Sequence, residues 1–177
     1  TINSPPVVTF TVTDQTGAPT AILSSADLRF NIAKLMPGSD GVPSAWQNYI
    51  NRSVSGAVQG GQERTSAGFA FGTLVNHGNG SYTYTFAQNL STATMPSPVI
   101  NSTTTVLVGY DQTLTHRVLI NLGGHAGPTG EATKDFVPNG SAITQKRNIV
   151  ETATCKKCHG PEFAGHGGDR VTVQGCV

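Results

Sequence analysis

Charge is scarce in this sequence. Only 12% of its 177 residues are Asp, Glu, Lys or Arg, and the net charge is +1. That balance excludes the basic stripe on which nucleic-acid binding depends. It also gives no electrostatic grip on an anionic membrane surface. Long apolar runs are missing, and none approaches the ~20 residues that a membrane-spanning helix needs. No signal-peptide pattern opens the chain. Internal repeats, a nucleophile–base motif, a Gly-rich phosphate loop and paired-carboxylate spacing are also absent. Cysteine is the scarcest chemistry-bearing residue, and all three (Cys155, Cys158 and Cys176) lie near the C-terminal end.

What is present there is Cys155-Lys156-Lys157-Cys158-His159, a CxxCH pentapeptide. This is the pattern of covalent haem c attachment. Two thiols add to the haem vinyl groups as thioethers, and the adjacent imidazole becomes an axial iron ligand. A short helical turn sets both sulfurs on one edge of the ring with the histidine beneath the iron. A second reading is a zinc site built from Cys155, Cys158, His159 or His166, and Cys176. Structural zinc sites normally close with a second short-spaced pair, and only Cys176 follows here. Cys176-Val177 would instead be the first two residues of another CxxCH, so the chain is expected to be cut from a longer multihaem protein. A free or intermolecular thiol is the other reading of Cys176. Haem c is attached outside the bacterial cytoplasm, so an export signal is expected to have preceded Thr1.

The length allows one good core with an appendage. Val8, Phe10 and Val12 alternate with Thr9, Thr11 and Thr13, the period of a half-buried strand. Leu28, Phe30 and Ile32 repeat the pattern, as do Tyr82, Tyr84 and Phe86. Thr105–Tyr110 and Leu114–Leu122 are the last two expected strands, with a further strand beginning at Phe69-Ala70-Phe71. Asn76-His77-Gly78-Asn79-Gly80 predicts a hairpin turn. Ser44 to Ile50 fits either strand or helical turn, and residues 51–68 read as a long loop. The expected fold is mainly β: an immunoglobulin-like or Greek-key β-sandwich over residues 1–145. A linker at Phe136-Val137-Pro138-Asn139-Gly140-Ser141 precedes an irregular or helical haem-binding segment over residues 146–177. That segment has few large apolar side chains, as expected where porphyrin itself supplies the apolar body.

Several stretches carry a resemblance. They include Ser4-Pro5-Pro6-Val7-Val8-Thr9-Phe10, Leu28-Arg29-Phe30-Asn31-Ile32, Asn79-Gly80-Ser81-Tyr82-Thr83-Tyr84 and Tyr110-Asp111-Gln112-Thr113-Leu114-Thr115-His116. The most specific are Cys155 to Gly160, then His166-Gly167-Gly168-Asp169-Arg170, then Cys176-Val177. In these the chain resembles the outer-membrane decahaem c-type cytochromes of metal-reducing bacteria, the OmcA/MtrC family. The resemblance implies an N-terminal β domain followed by haem domains, on the outer surface of a Gram-negative cell. It implies electron transfer to metal oxides, soluble metals or shuttles, with other c-type cytochromes or a porin–cytochrome conduit as partners. A second copy of the chain is a further candidate partner. It also implies bis-histidine ligation and an electron carrier rather than a substrate-transforming enzyme, metal reduction being outer-sphere.

The histidines divide accordingly. His159 is the expected proximal ligand. His166 is the first candidate for the distal position, its six-residue separation from His159 able to extend about 20 Å. His116 is the second candidate, although its register beside Leu114 and Val118 also fits a core histidine bonded to a backbone carbonyl. His125, in a Gly-rich loop, is a third, and His77 at a hairpin tip is expected to be solvated. Lys156, Lys157 and Arg170 either pair with haem propionates or are simply solvated. Tyr82, Tyr84 and Phe86 read as core rather than as an electron path. The different-class alternative is a structural or interaction β domain whose Cys/His tail binds zinc or mediates assembly.

Overall fold

The structure, a computed structural model, describes residues 4–22, 27–54, 57–67, 69–96, 105–123 and 129–175, without the side chains of 53, 54, 57–59, 96 and 166. The first strand, β1 (Val7–Thr11), pairs antiparallel with β8 (Ser81–Thr85), which also pairs with β7 (Thr73–Gly78). This three-stranded sheet follows from the alternation read in the sequence. Tyr82 and Tyr84 are buried while Ser81, Thr83 and Thr85 stand on the partly exposed face. The turn joining β7 to β8 carries positive φ at Gly78 (80°), Asn79 (51°) and Gly80 (71°), which suits the Asn-Gly pair. Gly80 is also required for space, since a Cβ there would lie 2.6 Å from the Val12 carbonyl oxygen.

A larger antiparallel sheet packs against it. Its centre is β2 (Asp27–Met36), flanked on one side by β11 (His116–Gly123) and then β12 (Gly130–Phe136). On the other side β2 pairs with β3 (Ala45–Asn48) and, further along, with the short β6 (Glu63–Arg64). Two small antiparallel pairs complete the described strands: β4 (Asn51–Val54) with β5 (Ala57–Gly60), and β9 (Thr94–Pro96) with β10 (Thr105–Leu107). The chain is thus mainly β with antiparallel sheets, as the sequence predicts.

The core lies between the two larger sheets. Phe30, Ile32, Tyr49, Tyr84 and Phe86 are fully buried in it, and the Phe30 and Tyr84 rings stack at 3.7 Å. Phe10 of β1 meets Phe30 edge-on at 5.8 Å, which ties the sheets together. Burial of aromatic surface of this size is the main stabilising term, at roughly 25 cal/mol per Å². Tyr82, Tyr84 and Phe86 are therefore core residues, as their bland reading has it.

Four sequence expectations are corrected. Residues 51–68 are not one long loop, because β4, β5 and β6 lie there. No strand begins at Phe69; the next starts at Thr73. The Thr105–Tyr110 strand stops at Leu107. Most consequentially, the Leu114–Leu122 stretch is not the last strand, because β12 follows it and takes in Phe136, the first residue of the expected linker. Its sequence, Gly-Glu-Ala-Thr-Lys-Asp-Phe, has little apolar alternation, since it is an edge strand exposed over much of its length. Backbone pairing with β11 from His116↔Phe136 to Leu122↔Gly130 makes it a strand regardless, aided by the Arg117–Asp135 ion pair. Ser44 to Ile50, undecided in the sequence, contains strand β3.

Beyond β12 the chain has no regular structure until α1 (Thr152–His159). Short 3-10 turns follow at His166–Gly168 and Val173–Gly175. This matches the expected irregular and helical segment.

Candidate haem attachment site

The CxxCH residues are the last five of the eight residues of α1. The helix ends immediately after His159, where Gly160 adopts φ 79° and its N–H donates to the Lys156 carbonyl. Lys156, Lys157 and His159 fall in the last turn, the end at which the helix dipole favours cations. Cys155 and Cys158 are three residues apart and so share one helix face, with His159 one turn from Cys155. Both thiols are free, Cys155 half-buried and Cys158 exposed. The His159 ring is exposed and meets Phe163 edge-on at 5.8 Å.

These residues fit covalent haem c. Two unpaired thiols and an imidazole are the required donors, in the required order, on a single turn-forming element. The helix buries none of its own side chains against the β domain. An eight-residue helix is marginal by itself, so a large apolar body against this face suits it.

His166 lies in a closed loop. Gly165 and Arg170 exchange backbone hydrogen bonds at 2.8 and 3.1 Å, and Gly167 (φ 73°) and Gly168 (φ 98°) make the turn. His116 is placed quite differently. It is 0% exposed, enclosed by Tyr49, Tyr110 and Phe136. Its Nδ1–H donates to the Leu114 carbonyl at 2.9 Å, and Nε2 accepts from the Tyr49 hydroxyl at 2.8 Å. Burial is the main cause holding its pKa below the usual histidine range, so the ring is neutral. With both nitrogens engaged inside the core, it has none to offer an iron. The core-histidine reading accounts for its contacts.

His77 is exposed, as expected, and its ring bonds the Thr83 hydroxyl at 2.8 Å. His125 and Cys176 lie outside the described residues. Arg170 is held by Glu131 and Gln62, which withdraws it from the residues expected to meet propionates. Among the described residues no group of three or more His, Cys, Asp or Glu side chains converges to hold a metal ion. None of their helices is long and apolar enough to cross a membrane.

Comparison with known proteins gives the chain its context. It is 32% identical to the multihaem cytochrome MtrC of Shewanella baltica (strain OS185), over 99% of this chain and 25% of that protein. Over almost its whole length it is homologous to that cytochrome. The crystal structure of MtrC from Shewanella baltica OS185 superposes with a TM-score of 0.71 at 32% identity, covering 98% of this chain and 27% of that one. The crystal structure of the outer-membrane decahaem cytochrome OmcA also matches with TM-score 0.71, at 29% identity over 98% of this chain and 28% of that one. The mainly β fold of antiparallel sheets therefore matches the β domain of these cytochromes. The chain spans about a quarter of the length of the relatives it matches. No protein-family model matches the sequence.

Sequence reasoning missed Phe163, Glu131 and the partners of Asp169. Phe163 follows the motif closely enough to be suspected of flanking the His159 ring. The other contacts join residues dozens of positions apart and leave no local signal.

Proposed function

We propose that this chain binds one haem c through thioethers at Cys155 and Cys158, with His159 as proximal ligand and His166 as distal ligand. In this reading it belongs to a cell-surface electron-transfer protein of a Gram-negative bacterium. The observation that carries the proposal is the side-by-side pair of free thiols followed by His159 at the helix end, on a chain homologous to multihaem cytochromes along almost its whole length. Haem c supplies reversible one-electron exchange between Fe(III) and Fe(II). The chain's own residues do the rest. Cys155 and Cys158 tether, His159 ligates, and Phe163 limits rotation of the His159 ring. His166 is preferred over His116 because its loop follows the motif directly, whereas His116 has both nitrogens committed.

Partners in this reading are other c-type cytochromes or an outer-membrane porin–cytochrome conduit on one side, and extracellular metal oxides or shuttles on the other. Acid–acetone extraction of the protein matured in a haem c-competent host tests the proposal. Colour should remain with the polypeptide, and intact mass should show the chain plus one haem. Haem released into the organic phase, or a colourless zinc-loaded protein, would overturn it.

A further inference from the structure

The segment after the haem motif is bolted to the β domain by two buried carboxylates, neither of which the tethering chemistry uses. The first is Glu131 on β12, whose side chain is 0% exposed. Its Oε1 accepts from Arg170 Nη1 at 3.2 Å. Its Oε2 accepts from Val171 N at 3.2 Å, Thr172 N at 2.8 Å and Thr172 Oγ1 at 2.8 Å. A carboxylate has about four lone-pair sites, and this one receives four donors, three of them on Oε2. The second is Asp169, 4% exposed, which receives Arg29 Nη2 at 2.6 Å while its carbonyl accepts from Asn121 Nδ2 at 2.6 Å.

Two glycines make room for these carboxylates. A Cβ on Gly175 would collide with the Glu131 carboxylate, and one on Gly123 would lie 2.9 Å from Asp169 Oδ1. Asp169 and Arg170 are also the foot of the Gly165–Arg170 loop that carries His166. The first residue of α1 joins the same frame, because Val173 N donates to Thr152 Oγ1 at 3.0 Å and Thr152 Oγ1 bonds Gln174 at 2.8 Å. The loop and the CxxCH helix therefore share one mount, and the mount is the outer face of the larger sheet.

We propose that Glu131 and Asp169 are positioning residues: they form a two-point clamp through which the β domain sets the His166 loop and the CxxCH helix relative to each other. Its consequence for ligation rests on the haem reading above, whereas the clamp itself does not. Unpinned, the loop would sample many positions, and an imidazole offered from it would occupy the iron only part of the time.

Amide hydrogen exchange on the full chain, with and without haem, tests this using Glu131→Ala and, independently, Gly175→Ala. Each should speed exchange at Gly165, Gly168 and Arg170 by about tenfold or more while the amides of β2 and β11 stay protected. Glu131→Gln keeps one acceptor oxygen and should restore part of the protection. In the haem-loaded chain Glu131→Ala and Gly175→Ala should each lose low-spin character and gain carbon monoxide binding, the same change that the haem reading expects of His166→Ala. Unchanged loop exchange would overturn the proposal. So would faster exchange accompanied by an unchanged low-spin spectrum and unchanged inertness to carbon monoxide. Where the parent carries no haem, or His166→Ala leaves its spectrum unaltered, the haem reading fails and the exchange rates alone decide whether the clamp exists.

Discussion

The Tyr49 hydroxyl donates to His116 Nε2 at 2.8 Å in the fully buried core. The opposite ring nitrogen donates to the Leu114 carbonyl, so the pair needs the neutral tautomer. Burial lowers the His116 pKa from 6.5, and the nearby Lys34 ammonium adds to that. Protonation in the folded state would force the Tyr49 bond to reverse its direction and strand a charge in the core.

Stability should consequently fall on mild acidification. Below about pH 6.5 the unfolded chain takes up a proton at residue 116 that the folded chain refuses. The unfolded state then binds more protons, and the unfolding free energy drops as pH drops, until the lowered folded pKa is passed. Denaturant titrations between pH 8 and 5 read this directly. His116→Phe should flatten that slope; an equal slope in parent and variant would place its origin elsewhere.

Tyr49→Phe should cost about 1–3 kcal/mol, because the core gains no new partner for Nε2 and a buried acceptor is left unpaired. Chemical denaturation measures it. The Tyr84→Phe change should behave similarly, since the Tyr84 hydroxyl donates to the buried Glu63 carboxylate, which also collects the N–H groups of Ala87 and Gln88.

Phe30 shows why so much of the sandwich could be read in advance. Its place in Leu28-Arg29-Phe30-Asn31-Ile32 announces a strand by period alone, and Tyr82-Thr83-Tyr84 announces its facing partner. Alternation records burial on one side of a sheet, and these strands have it. Glu131 shows the opposite case. Its strand lies at an edge, where pairing needs no apolar pattern, and its carboxylate matters because of Arg170 and Thr172 some forty residues further on. The CxxCH motif was fully legible because its chemistry is local. The place of His116 in the core was not, since its bond to Tyr49 spans 67 positions.

Replacing Cys155 or Cys158 by serine should weaken covalent attachment. A single remaining thioether is compatible with partial maturation, so colour after acid–acetone treatment should diminish in each single variant and vanish in the double. Full retention in the double variant would show that these thiols do not hold haem.

Residues 1–145 should fold without the segment that follows. Nearly all the buried apolar residues belong to this stretch, Val173 being the exception among those described. Removing residues 146–177 takes Asp169 from Arg29, yet Arg29 keeps Asp27 at 2.8 Å. Burial by itself would raise the Asp27 carboxyl, but hydrogen bonds from Arg64 and Arg29 outweigh that and keep it ionised. Glu131 would trade its donors for water, which an exposed edge strand permits. The truncated domain should therefore lose about 1–3 kcal/mol and still unfold in one cooperative step. A broad, non-cooperative melt would mean that the clamp is part of the core and that the boundary at residue 145 cuts through a single folding unit.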